Sequence, residues 1–213
     1  MKTYKVIFMA FATMILGAFV MTSCSNEENT ETQANNNFSK REGILDLSED
    51  SDFIELYNLF LDYEHKNRDV ERINYFLEQG EELSNEEIEL FANSMGYESR
   101  EEASEYAQRF VDLSVSLNDR YAISDMGQEE LGDIFIAGFE NFETYSNNCE
   151  RRRRNCFAKA SAAATTGHIA CYALDLTVVL GLLCHGAVTV AWVAANDDCQ
   201  LDYEDCIEDQ TNN

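Results

Sequence analysis

Residues 149–206 read CERRRRNCFAKASAAATTGHIACYALDLTVVLGLLCHGAVTVAWVAANDDCQLDYEDC, and the cysteines in this stretch decide the fold. Cys149, Cys156, Cys171, Cys184, Cys199 and Cys206 are separated by 6, 14, 12, 14 and 6 residues, a series that is the same in both directions. Six cysteines can pair in 15 ways. One of these nests all three bridges about a common centre: Cys149 with Cys206, Cys156 with Cys199, and Cys171 with Cys184. Along a helix, steps of 7 and 15 residues turn a side chain by about −20° and about +60°, so each trio of cysteines lies within one narrow arc. Two such helices running antiparallel would set the trios against each other like rungs.

A disulfide needs Cα atoms about 4.4 to 6.8 Å apart, closer than the roughly 8 to 10 Å between the axes of packed helices. The seam must therefore be made of small residues. Under the nested pairing Ala160 lies opposite Ala195, Ala164 opposite Ala191 and Gly167 opposite Val188. The reading for residues 149–213 is an antiparallel helical hairpin stapled by three disulfides. Its run Arg151-Arg152-Arg153-Arg154 falls opposite Leu201-Asp202-Tyr203-Glu204, near Asp205. This points to charge pairing between the arms, which would set their register more than their stability; an exposed patch for anions is the alternative.

Between those charged ends, residues 160–196 are mostly apolar, interrupted by His168, Asp175 and His185. Residues 176–196 carry no formal charge over a length that could cross a bilayer. The expectation is that this arm is buried against the rest of the chain or a partner. The alternative is a membrane-active or membrane-inserting hairpin, similar in general character to cysteine-rich bacteriocins. His168, Cys171, Cys184 and His185 would also make a two-Cys, two-His zinc site if the inner pair were reduced; with the inner disulfide formed, no metal site is expected.

The segment ahead of the hairpin, residues 44–148, is acidic, with apolar residues recurring every three or four positions. Phe53, Leu56, Phe60 and Leu61 form one stripe; Val70, Ile73, Phe76 and Leu77 form another, with Gly80 as its stop. Ser84 with Glu87 makes a capping box and Leu83 with Ile88 a hydrophobic staple, so a helix starts there and ends at Gly96. Ser99 with Glu102 offers a second capping box before Tyr106, Phe110, Leu113 and Leu117. A further helix runs from Gln128 through Leu131, Ile134, Phe135 and Phe142. The fold class expected is all-α: a bundle of four or five helices followed by the hairpin.

Composition agrees. The chain has 213 residues and no proline, the residue that breaks helices and punctuates most β turns. Its 40 Asp and Glu against 15 Lys and Arg give a net charge of −25, which excludes general nucleic-acid binding. At 45% hydrophobic residues, wholesale disorder is excluded too. The oxygen-rich run Asp46-Leu47-Ser48-Glu49-Asp50-Ser51-Asp52 begins like a calcium loop. However, Ser51 stands where such a loop needs Gly and Tyr57 where it needs a bidentate Glu. It reads as the N-cap region of a helix.

The chain begins with Lys2 and Lys5 followed by the apolar run at residues 6–20, then Met21-Thr22-Ser23-Cys24. That run is short for a membrane span but suits a signal peptide. This stretch resembles a bacterial lipoprotein signal with a lipobox, over residues 1–23. The resemblance implies that Cys24 is lipidated with acyl chains such as palmitate and becomes the first residue of the mature protein. Ser25-Asn26-Glu27-Glu28 then resembles an outer-membrane sorting signal, and its acidic pair is similar to signals that carry lipoproteins to the cell surface. Residues 24–43, rich in Asn, Glu, Thr and Gln, read as a disordered tether.

No serine–histidine–acid signature, glycine-rich phosphate loop, Cys-x-x-Cys or His-Glu-x-x-His motif occurs. His65 sits among charged residues and reads as solvent-facing. The expectation is a non-enzymatic binding or structural module at the cell envelope, without a cofactor. It would meet the membrane through lipidated Cys24 and offer a helical face to a protein partner.

Overall fold

The computed structural model describes residues 45–79, 83–142, 145, 147–172 and 178–211. The stretches expected to be a signal peptide and a tether, with Cys24, Gly80 and Asp175, lie outside them. Among the described residues the chain is all-α, with seven α-helices: α1 Ser51–Glu64, α2 Val70–Gln79, α3 Asn85–Ser94, α4 Arg100–Tyr121, α5 Gln128–Glu140, α6 Asn148–Tyr172 and α7 Val178–Thr211. A 3-10 turn, Ile123–Asp125, links α4 to α5.

Local sequence starts and stops most of these helices. Asp50 caps α1, its carboxylate accepting from the backbone N–H groups of Asp52 and Phe53. The same carboxyl group accepts from the Arg120 guanidinium at 2.9 Å and the Tyr121 hydroxyl at 2.8 Å, so the cap also ties α1 to the end of α4. This is where the oxygen-rich run goes. The capping box at Ser84 and Glu87 is complete in both directions, and its flanking staple residues Leu83 and Ile88 are both buried. Ser99 caps α4 through Glu102 N–H, but the expected reciprocal half is absent. Glu102 Oε2 accepts from Glu98 N–H at 2.6 Å, and Oε1 faces Lys66 at 3.3 Å. After α3, Gly96 adopts φ +89°, and a Cβ there would lie 2.7 Å from the Asn67 carbonyl oxygen, so only glycine fits this turn.

The hairpin is formed by α6 and α7, which run antiparallel and are joined by three disulfides: Cys149–Cys206, Cys156–Cys199 and Cys171–Cys184. Their Cα separations are 5.7, 5.6 and 5.6 Å. This close approach rests on small residues: a Cβ on Gly167 would come within 2.9 Å of Val188 Cγ2, and Ala160 and Ala164 are buried.

Residues 44–213 pack as one compact unit. Its single core takes Phe53, Leu56, Phe60, Ile73, Phe76, Phe110, Leu113, Leu117, Leu131 and Ile134 from the stripes, together with Phe157, Leu182, Leu183, Val188, Trp192 and Val193 from the hairpin. The acidic bundle and the hairpin are thus halves of one interior: α5 and α4 lie against α6, while α2 and α4 lie against α7. The apolar arm needs this cover, since each buried Val, Leu or Trp removes apolar area from water at about 25 cal/mol per Å². No helix among the described residues is long and apolar enough to cross a membrane.

Candidate functional site

The most unusual chemistry in the interior sits where the hairpin meets α1 and α4. His168 of α6 and His185 of α7 are buried, at 3% and 5% exposure. Their Nδ1 atoms are 2.8 Å apart and their rings stack with centroids 5.0 Å apart. Phe110 of α4 also stacks on His168, at 4.8 Å between ring centroids. A hydrogen bond between two Nδ1 atoms requires one ring to donate and the other to accept. Burial first, and the neighbouring His185 second, hold His168 well below the usual imidazole pKa.

A small cavity lies beside the pair, about 20 Å³ by the measure in which one water needs roughly 10 to 15 Å³. Phe60, Tyr63, Tyr106, Trp192 and the two histidines line it. Tyr63, Tyr97 and Tyr106 form an aromatic group with centroids 5.4 to 6.1 Å apart. Burial pushes all three phenols above their ordinary range, and the Arg68 guanidinium beside Tyr63 opposes this only in part. Tyr106 donates to the Leu59 carbonyl, whereas the buried Tyr63 hydroxyl finds no partner of good geometry. The Lys66 ammonium lies 4.4 Å from the centre of the Tyr97 ring and closes the outer side.

The structure brings His168, Cys171, Cys184 and His185 into one layer of the hairpin. The two sulfurs are bonded to each other, which removes them as thiolate donors and as nucleophiles. Among the described residues no group of three or more His, Cys, Asp or Glu side chains has metal-binding geometry. What the arrangement does chemically is join two imidazoles by an Nδ1–Nδ1 hydrogen bond inside an aromatic shell, with the donor set by the tautomer. His65, by contrast, is exposed at the end of α1.

The arginine run departs from expectation. Arg153 pairs with Glu64 of α1 at 3.4 Å, not with the acids of α7, and its guanidinium lies 5.9 Å from the centre of the Tyr203 ring. Asn196 of α7 donates to the same Glu64 oxygen at 3.4 Å. Arg152 Nη1 lies 3.9 Å from Cys206 Sγ, and Arg151 donates to Asn148. The physical reason is desolvation: Glu64 is only 17% exposed and needs a cation and a donor, whereas Asp202, Glu204 and Asp205 face solvent.

The tyrosine group has no sequence signal, since its members come from α1, the turn after α3, and α4. The histidine pair did have one, because both residues flank the inner cysteines of the mirrored series. No protein-family model, curated protein or solved structure matches this chain.

Proposed function

We propose that the protein is an exported lipoprotein, anchored through acylated Cys24, whose disulfide-stapled helical domain serves as a non-enzymatic binding module at the cell envelope. The observation that carries this reading is the three nested disulfides. Such bridges form and persist in oxidising compartments, which agrees with the lipoprotein-like start of the sequence. The asparagine- and glutamate-rich tether of residues 24–43 gives the domain reach from the membrane. The acidity of the domain disfavours nucleic acid and suits a protein partner met through a rigid helical face. A membrane-inserting hairpin would first have to strip Leu182, Leu183, Val188, Trp192 and Val193 from the shared core, at a cost of several kcal/mol by area.

The test is metabolic labelling with a palmitate analogue in a bacterial host. The full chain should take up label and fractionate with the outer membrane, and Cys24→Ala should lose both. Label on Cys24→Ala, or an unlabelled wild-type chain in the cytosol, would contradict the reading.

A further inference from the structure

We infer that the chain is a substrate for a dithiol–disulfide isomerase: an oxidant first bridges Cys149 to Cys156 and Cys199 to Cys206, and the isomerase rearranges these local bonds into the nested ones. This route to the folded domain does not depend on how the chain is anchored.

Of the three native bridges only Cys171–Cys184 joins cysteines that are neighbours in sequence. Cys156–Cys199 and Cys149–Cys206 have separations of 43 and 57 residues, whereas Cys149 and Cys156 are 7 apart, as are Cys199 and Cys206. The entropy of closing a loop grows with the logarithm of its length, so in an unfolded chain the local pairs meet roughly 15 to 25 times more often than the native ones. Neither segment resists as a preformed helix. Pieces this short are marginal in water, and each carries like charges three residues apart, Arg151 with Arg154 and Asp202 with Asp205.

The folded hairpin excludes both local bridges. Residues 149–156 and 199–206 lie within α6 and α7, where a step of seven residues rises about 10.5 Å. A disulfide needs Cα atoms no more than about 6.8 Å apart. A locally bridged chain therefore cannot wind the first two turns of α6, which place Cys149 at 0% exposure and bring Arg153 to Glu64.

The chemistry balances at each stage. In forming a local bridge, two thiols give two electrons and two protons to a disulfide oxidant, which leaves as two thiols. The rearrangement is redox-neutral. An isomerase thiolate attacks Cys149 Sγ of the local bond, forming a mixed disulfide and releasing the Cys156 thiolate. Cys156 attacks Cys199, forming the middle bridge and releasing the Cys206 thiolate. Cys206 then attacks Cys149 in the mixed disulfide, forming the outer bridge and returning the isomerase thiolate. Burial sets the direction: Cys149, Cys171 and Cys199, one from each nested bridge, are at 0% exposure, which withholds the product from further attack.

The test uses the full chain as the Cys24→Ala variant, so that only the six hairpin cysteines can pair. It is purified in detergent, reduced, unfolded in urea and returned to buffer with diamide, an oxidant that supplies no thiol. Cleavage within the arginine run and after Glu204 splits each local pair into linked peptides that mass spectrometry tells from nested ones. In the first products local links should exceed nested links by about tenfold, and a purified disulfide isomerase with reduced glutathione should convert them to the nested set. Nested links that predominate from the start without thiol would overturn the inference, as would local links that isomerase and glutathione leave unchanged. If the unfolded chain aggregates, the same peptides from the wild-type chain made in a bacterium with and without its envelope isomerase decide. Local links should rise in the strain that lacks the enzyme, and an identical nested pattern in both strains would overturn the proposal.

Discussion

Phe60 of α1 lies 5.4 Å from Trp192 of α7, ring centre to ring centre, although 132 residues separate them in sequence. Trp192 also meets Phe157 edge-on at 5.7 Å and donates its indole N–H to Ser161 at 3.2 Å. It is the point where bundle and hairpin become one interior. Trp192→Ala should cost about 3 to 5 kcal/mol in urea unfolding, as expected for deleting a large core aromatic. Trp192→Phe should cost clearly less. Equal losses would mean that the ring volume is not what joins the two halves.

Gly167 and Val188 give a sharper test of the seam. Alanine is favoured over glycine in a helix by about 1 kcal/mol, but its Cβ here would press on both Val188 methyl groups, at 2.9 and 3.0 Å. A β-branched side chain has little freedom to move away. Gly167→Ala should therefore be destabilising on its own and stabilising in a Val188→Ala background. Thermal unfolding of the four proteins in the cycle reads this directly.

Nesting makes the bridges overlap in what they restrain. With Cys156–Cys199 in place, Cys149–Cys206 closes a ring made of the two short segments 149–156 and 199–206, about as long as the loop of separation 13 that Cys171–Cys184 closes, so in the chain-entropy picture each contributes about 3 kcal/mol. Removing the outer pair as Cys149→Ala, Cys206→Ala should therefore lower the urea midpoint about as much as removing the inner pair in the same way. A clearly larger loss for the inner pair would show that the tip bridge does more than close a loop.

At Ser84 the prediction couples a cap to pH. Ser84→Ala should cost about 1 kcal/mol, because the Glu87 backbone N–H loses its acceptor. The Ser84 backbone N–H, and then its hydroxyl, hold the Glu87 carboxyl below its ordinary value. A depressed carboxyl contributes stability that is present above its unfolded pKa and lost as pH falls through the folded one. The stability difference between Ser84→Ala and wild type should accordingly shrink in acid below about pH 4.5. A difference that stays constant to about pH 3 would remove Glu87 from the account.

Local features were legible in the sequence because each depends on residues a turn or two apart. The Ser84–Glu87 box is of this kind, as is the cysteine series, whose mirror symmetry encodes a relation between two helices in spacing alone. Arg153 with Glu64 was not legible. Its partner is chosen by how the hairpin docks on α1, 89 residues away, and nothing in either helix carries that register. Glu102 shows the same limit at short range: Ser99-x-x-Glu102 has the spacing of a full box, yet the carboxylate turns to Glu98 N–H and to Lys66, which tertiary packing brings to it. The division of residues 44–213 into bundle and hairpin followed composition, whereas the core follows apolar area, and neither half covers its own.

Intact mass spectrometry of the full chain, expressed in a bacterium and extracted from its membranes without reduction after thiol alkylation, tests the central claim most directly. An oxidised, lipid-anchored module predicts one species that starts at acylated Cys24 and takes up no alkylating agent at its six remaining cysteines. A chain that retains residues 1–23 and carries alkylated thiols at Cys171 and Cys184 would contradict it.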